Sequence, residues 1–329
     1  MRHGCSDCAA PRTRADHGAL RHEEEPMQDV DGRVAVITGG SSGIGRGIAL
    51  AFARAGMRVV VTGRRPEHLA ETVESFAAEG LEVHPMQVDV TDLSAMRAAA
   101  DEVQARFGRV DVLVNNAGIG LTGPVASALP TDWDWVIDVN IRGVGNGIQA
   151  FLPKILENGD GGHIVNTSSM AGLMPIVAGL YSMTKAAVIG LSEALHIELK
   201  PAGVGVSVYC PGPVHSNIAT AVAARPEQYG ESGYTAPDPS FAEFARAQPY
   251  MTAEEAGERV LAGLRRGDLF ILTHPEFRAG VIERHATIEA AFPDEPIDEA
   301  RKAAIPFLLS SPVYAEENRL QPPVLTRTV

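Results

Sequence analysis

Basic charge, aromatic rings and cysteine are all scarce in this chain of 329 residues. Its 28 Lys and Arg face 41 Asp and Glu, a formal charge of −13. A phosphate backbone demands basic surface, so sequence-independent nucleic-acid binding is excluded as its main role. Aromatics make up 5% while glycine reaches 33 residues, a composition that favours tight βα turns over a β-sandwich. There are 3 cysteines, and only Cys5 and Cys8 are close enough in sequence to form a C-x-x-C. A structural zinc needs four ligands, and the spacing of His3, His17 and His22 completes no common set, so no metal is expected. Long apolar runs are missing too. The most apolar stretch, residues 173–191, is interrupted by Lys185, so no membrane-spanning helix is expected. The N-terminus lacks an apolar h-region, which argues against a secretory signal and makes the cytoplasm the expected compartment.

Residues 1–30 carry 4 basic and 6 acidic side chains without apolar periodicity and read as a disordered tail. Met27, just before the folded pattern, is a candidate translation start. Apolar residues total 45%, enough for a substantial core. The expected organisation is one catalytic domain over residues 31–274, followed by a helical extension over 275–329.

The domain begins with Val34-Ala35-Val36-Ile37, a short β-branched run that reads as a buried strand. It leads into TGGSSGIG at 38–45 and then a helical pattern through Ile48, Leu50 and Phe52. Strand, glycine turn and helix form the context in which a glycine motif cradles a pyrophosphate. The glycines permit close backbone approach, and the helix start offers free N–H groups to negative charge. A second strand at 58–62 ends in Gly63-Arg64-Arg65. An acid at this tip would bind a ribose 2′-hydroxyl, but the first one, Glu67, comes only as the next helix begins. Two guanidiniums suit a 2′-phosphate, so NADP(H) is favoured and NAD(H) is the alternative. Further strands are read at 83–90, 110–114, 162–167 and 204–209, with helical segments such as 93–107 between them. The alternation predicts an α/β fold, a Rossmann-like doubly wound parallel sheet.

Tyr181 and Lys185 stand at i and i+4 in a helical pattern, so phenol and ammonium share one face. A neighbouring ammonium favours phenolate and is expected to lower the tyrosine pKa towards a range useful for proton transfer. His163 reads as a strand residue, packed or solvated, and His215 as a residue near the nicotinamide loop that either touches substrate or is an exposed loop histidine.

TGGSSGIG, NNAG at 115–118, VN at 139–140, SSMAG, YSMTK and PGPVHS occur in order over residues 31 to about 272, and this series resembles the short-chain dehydrogenase/reductase family. The resemblance implies hydride transfer between a nicotinamide and a substrate carbon, with Asn140, Ser169, Tyr181 and Lys185 as the catalytic tetrad. Tyr181 would exchange the proton, Ser169 would orient the substrate oxygen, Lys185 would hold the nicotinamide ribose, and Asn140 would anchor a water. Cofactor contacts carried over are Gly39, Ser41, Ser42, Gly43, Ile44 and Gly45 for the pyrophosphate, and Asp89 and Val90 for the adenine. Asn116, Ala117 and Gly118 would meet the adenine ribose, with Pro211, Gly212, Val214 and Ser216 at the nicotinamide. Members place the serine thirteen residues before the tyrosine, which selects Ser168. The SSMAG motif selects Ser169, twelve before, with the deletion assigned to the intervening loop.

Residues 217–250 read as a long irregular stretch rich in Pro226, Pro237, Pro239 and Pro249. Its Tyr229, Tyr234, Phe241 and Phe244 point to an apolar or aromatic ligand, with anchoring to the body as the alternative, and Leu121, Met170, Met174, Ile176 and Ile218 are expected to flank the site. The segments AGLYSMTKAA, GVGVSVYCPGPVHSNIA and ARPEQYGESGY resemble the Cα-dehydrogenases of lignin β-aryl ether breakdown, which oxidise bulky aromatic secondary alcohols. That narrower resemblance implies an NAD-dependent oxidation as the second reading, and a non-catalytic NADP(H) sensor is the third. Phe277, Val281, Ile288 and Phe292 recur at helical spacing and predict an amphipathic helix over 276–292. Expected partners are a small alcohol or ketone and further copies of the chain as a homodimer or homotetramer, with no nucleic acid and no membrane.

Overall fold

A computed structural model describes residues 27–235 and 238–314. Residues 1–26 of the expected tail, with Cys5 and Cys8, and residues 315–329 of the expected extension lie outside the described residues.

The chain alternates strands and helices as its hydrophobic pattern requires. In order these are β1 (Val34–Ile37), α1 (Gly43–Arg54), β2 (Arg58–Gly63), α2 (Pro66–Ala78), β3 (Val83–Gln87), α3 (Leu93–Phe107) and β4 (Val112–Asn115). There follow α4 (Pro130–Ile137), α5 (Gly143–Glu157), β5 (Gly162–Thr167), α6 (Met170–Leu173), α7 (Gly179–Leu199) and β6 (Val204–Cys210). The second half closes with α8 (Pro239–Ala247), α9 (Ala253–Arg266), β7 (Phe270–Leu272), α10 (Arg278–Glu289) and α11 (Glu299–Ala304). All seven strands are parallel, in the order β3-β2-β1-β4-β5-β6-β7. This is a Rossmann-like single domain, with the chain reversing direction of build between β1 and β4.

Alternation along each strand splits the core in two. Val34 and Val36 face one side, with Leu113, Ile164, Met96, Phe151 and Leu195 under α3, α5 and α7. Ala35 and Ile37 face the other, with Phe52, Phe76, Val260 and Leu264 under α1, α2 and α9. Helices α1 and α9 meet at glycines: a Cβ on Gly47 would stand 1.8 Å from the Ala253 carbonyl oxygen. Local chemistry sets the ends of helices. Asp92 caps α3 by accepting from Ser94 and Ala95 N–H, and Gly108 ends it in the left-handed region at φ 79°.

Three expectations change. The stretch after Ser216 is not irregular: it holds 3-10 turns at Ile218–Ala224 and Glu227–Tyr229, then α8. The amphipathic helix starts later, as a 3-10 turn Pro275–Phe277 followed by α10. Only the first half of its stripe is used. Phe277 and Val281 pack against Met170, Ile189, Val208 and Cys210, whereas Ile288 and Phe292 are exposed. Leu121 is 1% exposed within the core and does not flank the site.

His163 is a packed strand residue. Ser207 directs its hydroxyl proton to the Asp268 carbonyl at 2.5 Å, so its oxygen accepts from His163 Nε2–H at 2.8 Å. Burial, with a smaller contribution from His196, lowers the His163 pKa to about 4. The folded chain therefore keeps this ring neutral where the unfolded chain, near pKa 6.5, takes up a proton. Stability is present above that value and is lost as pH falls from about 6.5 towards 4, by about 2.5 kcal/mol between pH 7 and pH 4.5. Urea unfolding at the two pH values should show His163→Gln losing less stability than wild type by that amount. Equal losses would place the acid sensitivity elsewhere.

Candidate active site

The functional side chains gather at the carboxyl ends of β1, β4, β5 and β6, around the point where the sheet order reverses. The loop after β1 carries Gly39 at φ 64° and Gly43 at φ 50°, backbone that favours glycine. Asn116 Nδ2 donates to the Thr38 carbonyl at 3.0 Å, and Asn116 and Ala117 N–H both donate to Thr38 Oγ1, at 3.0 and 3.1 Å. The two loops are thereby tied into one floor. A Cβ on Gly45 would lie 2.4 Å from Asn116 Nδ2, so the approach needs glycine. Ser42 gives α1 no side-chain cap, and the first turn of α1 has no acid. Its first N–H groups are thus left for an outside anion, and the donor set fits a dinucleotide pyrophosphate held by residues 39–45.

At the β2 tip, Arg64 and Arg65 are exposed, and Arg64 Nη2 donates to the Ala224 carbonyl at 3.3 Å. No acid precedes Glu67, which sits in the first turn of α2. Asp89 is half-buried and accepts from Thr91 N–H at 2.9 Å and from its hydroxyl at 2.8 Å. Val90 is buried, and its carbonyl accepts from Asn146 Nδ2 at 2.8 Å.

The tetrad splits into two that face a cavity and two that stand behind it. Ser169 and Tyr181 line a cavity of about 880 Å³ together with Gly43, Ile44, residues 211–216, Met170, Met174, Ile176 and Ile218. Lys185 is buried, donates from Nζ to the Thr167 carbonyl at 3.0 Å, and lies 5.6 Å from the Tyr181 ring centroid. Asn140 occupies a π-helical turn, Asp138–Arg142. Its Oδ1 accepts from Ile119 N–H at 2.8 Å, and its Nδ2 protons go to the Ile119 carbonyl at 2.9 Å and Thr184 Oγ1 at 3.1 Å. A Cβ on Gly118 would come within 3.3 Å of both Asn140 Oδ1 and Lys185 Nζ.

The two serines have different surroundings. Ser168 is buried and donates to the Lys185 carbonyl at 2.7 Å. Ser169 caps α6 by accepting from Ala171 N–H at 3.1 Å and stands on the cavity wall. The tyrosine differs from expectation. Burial raises the Tyr181 pKa above its ordinary value, and the neighbouring Ser169 hydroxyl offsets only part of this. Lys185 does not reverse the shift, and burial acts on it as well, lowering its own pKa to about 8.

Arg64, Arg65, Asp89, Val90 and Asn116 to Gly118 lie apart from the cavity lining, along the nucleotide floor. His215 lines the cavity, its ring 5.6 Å from Tyr250. Tyr229 and Tyr234 do not line it: their hydroxyls donate to Asp138 Oδ2 at 3.0 Å and to the Pro124 carbonyl at 3.1 Å, which anchors the segment to the body. Sequence reasoning missed Tyr250 and Phe277 as cavity residues. Phe277 reaches the site because β7 pairs beside β6, a long-range placement with no local signature. No group of His, Cys, Asp and Glu among the described residues could hold a metal, and no helix there is long and apolar enough to cross a membrane.

The family model described as short chain dehydrogenase matches residues 33–227. The chain is 38% identical to the C alpha-dehydrogenase of Sphingobium sp. (strain NBRC 103272 / SYK-6) over 289 residues, 86% of this chain and 94% of that one. It resembles the crystal structure of a short chain dehydrogenase/reductase from Burkholderia phymatum in complex with NAD, at 36% identity and a TM-score of 0.75. That match covers 83% of this chain and 100% of the other. A putative short-chain dehydrogenase from Novosphingobium aromaticivorans is similar at 33% identity and a TM-score of 0.73, over 85% and 94% of the two chains. With the sheet order, the glycine floor and the Tyr181–Lys185 pair already placed, these matches make the chain a member of the short-chain dehydrogenase/reductase family, an NAD(P)-dependent oxidoreductase acting on CH–OH groups.

Proposed function

We propose that the protein interconverts a bulky, hydrophobic secondary alcohol and its ketone, with NADP(H) as the favoured cofactor. The observation that carries this reading is the cavity of about 880 Å³, with Ser169 and Tyr181 on a wall shared with Met170, Met174, Ile176 and Ile218. Apolar walls with few polar groups orient a hydrophobic ligand through the one oxygen those groups can reach. The nicotinamide supplies or accepts the hydride when bound. Tyr181, protonated at neutral pH because burial disfavours its phenolate, donates the proton to the carbonyl oxygen in reduction. Ser169 hydrogen-bonds the same oxygen and fixes it near the phenol. Lys185 and Asn140 hold the site from behind through the Thr167 and Ile119 backbone. Asn140, with both amide protons taken by protein, would hold any relay water through its main chain or the remaining Oδ1 lone pair.

Arg64 and Arg65, with no acid before Glu67, support NADP(H). A second reading, oxidation of an aryl alcohol with NAD, draws on the 38% identity to the Sphingobium C alpha-dehydrogenase and on the Burkholderia structure that holds NAD. Initial rates on a panel of aryl ketones with NADPH and NADH separate the two. We expect kcat/KM to favour NADPH by about tenfold or more, and the double variant Arg64→Ser, Arg65→Ser to lose that preference, as removal of charge-assisted bonds predicts. A preference for NADH in the wild type would overturn the cofactor reading.

A further inference from the structure

The loop at residues 211–216 is held from two sides. On one side Val214 bridges to Met251, Met251 N–H donates to the Pro213 carbonyl at 3.2 Å, and His215 N–H donates to the Met251 carbonyl at 3.0 Å. On the other stands His274, just beyond β7. Its Nδ1 accepts from Gly212 N–H at 3.1 Å and lies 2.7 Å from Thr273 Oγ1, while its Nε2 meets the Pro213 carbonyl at 3.2 Å. One protonation state satisfies both loop contacts. Nδ1 must be bare to accept from an amide, and Nε2 must carry the proton to donate to a carbonyl. The ring also lies against Gly212, where a Cβ would meet His274 Cγ at 2.7 Å, and its outer edge packs on Phe277 with ring centroids 5.9 Å apart.

We infer that His274 is a positioning residue of the cofactor site, a neutral imidazole whose two ring nitrogens clamp Gly212 and Pro213 of the loop that meets the nicotinamide. The assignment rests on the nucleotide site proposed above. It needs no contact between His274 and substrate, and it has a signature that a packing role lacks. Protonation places a hydrogen on Nδ1 opposite Gly212 N–H, so two donors face each other and the amide loses its acceptor. Around the ring, Arg259 of α9 donates to the Thr273 carbonyl at 3.1 Å and Glu276 follows two residues on. From β6, Tyr209 and Cys210 are held neutral by burial. His215 belongs to the loop itself.

The test is a fluorescence titration with NADH between pH 5.5 and 8.5 on wild type, His274→Gln and His274→Phe, with thermal melts to confirm folding. NADH is chosen because it lacks the 2′-phosphate monoester that titrates near pH 6. The wild-type dissociation constant should weaken about tenfold between pH 8.5 and pH 5.5, the effect of an unsatisfied amide. Gln offers a donor and an acceptor that do not titrate, so His274→Gln should stay within about twofold across the range. His274→Phe, which keeps an aromatic ring but loses both bonds, should bind at pH 8 as weakly as wild type does at pH 5.5. A wild-type pH profile that His274→Gln reproduces would assign the titration to another group, His215 foremost, and overturn the clamp. Flat wild-type binding would do the same without any variant. A wild type that binds neither NADH nor NADPH at pH 8 removes the nucleotide reading and the clamp together, which separates the two failures.

Discussion

Tyr181→Phe is expected to lower kcat by about 10³-fold in both directions while the NAD(P)H dissociation constant stays within about threefold. The substitution deletes one oxygen and keeps the ring that faces Lys185 at 5.6 Å, so the packing of α7 on the site survives. Ser169→Ala should follow it, with a loss of about 10²-fold, because Ser169 is the serine that shares the cavity wall with Tyr181. Ser168→Ala should keep kcat within about threefold but lower the melting temperature, since it removes a buried hydrogen bond to the Lys185 carbonyl. Steady-state kinetics on the three variants decide the matter. Unchanged turnover in Tyr181→Phe would place the proton donor elsewhere, a wild type that binds NAD(P)H without turnover would mark a nucleotide sensor, and exchanged phenotypes for the two serines would restore the thirteen-residue register. The raised pKa of Tyr181 adds a direction. A phenol that burial keeps protonated serves reduction across neutral pH, whereas oxidation needs the phenolate and should accelerate with pH.

That raised pKa marks a limit of reading chemistry from spacing. The i, i+4 pair places the ammonium on the phenol's side of α7, which the structure bears out at 5.6 Å. Spacing carries no information on burial, and burial acts on both partners, lifting the tyrosine and lowering the lysine. What is local in sequence was legible. The β-branched run Val34–Ile37, the segment Leu93–Phe107 with Asp92 before it and Gly108 after, and the strand Gly162–Thr167 carry their own periodicity and end signals. Helix α8 was hidden by its first residue. Pro239 reads as a breaker, yet a proline fits the first turn, and Asp238 supplies the cap by accepting from Ser240 N–H at 2.8 Å. His274 and Phe277 were hidden for a different reason. Each owes its place to the pairing of β7 with β6, across 62 residues from Gly212 in the case of His274. No window of sequence contains both ends of such a contact.

The aromatic residues of ARPEQYGESGY show how the same limit leads to a second large effect. They read equally as contacts for a ligand and as anchors to the body, and Tyr229 and Tyr234 are anchors in a segment built around a buried ion pair. Arg225 is bonded to Asp132 at 2.7 Å, with side chains 6% and 0% exposed. The arginine also donates from Nε to the Gly230 carbonyl and from Nη2 to the Tyr229 and Glu231 carbonyls, each at 3.0 Å, while its guanidinium lies 4.9 Å from the Trp135 ring. Asp132 accepts from the Ser232 hydroxyl at 2.6 Å and from Gly233 and Leu129 N–H at 2.9 Å. Burial alone would raise the aspartate pKa. These hydrogen bonds and the arginine charge outweigh it and hold the carboxyl below its ordinary value. Its contribution is therefore present above the usual carboxylate range and is lost as pH falls through the lowered value.

Arg225→Ala leaves a carboxylate buried without its counter-ion and three carbonyls without donors. Breaking a buried pair in this way costs about 3–5 kcal/mol, which lowers the melting temperature of a domain of this size by about 8 °C or more. Arg225→Lys should recover little, because an ammonium cannot reach in four directions from one planar fork. The double variant Asp132→Leu, Arg225→Leu should be more stable than Arg225→Ala alone, since it removes the uncompensated charge. Activity should respond through binding. Residues 225–234 follow directly on the turn Ile218–Ala224, whose Ile218 and Thr220 line the cavity, so loosening the clasp moves a wall while Ser169 stays at the start of α6 and Tyr181 on α7. KM for a bulky ketone should rise about tenfold and kcat change less, as expected for lost uniform binding. Calorimetry and steady-state kinetics on the same variants check both halves. A stable Arg225→Ala with unchanged KM would show that the segment holds its place without the pair.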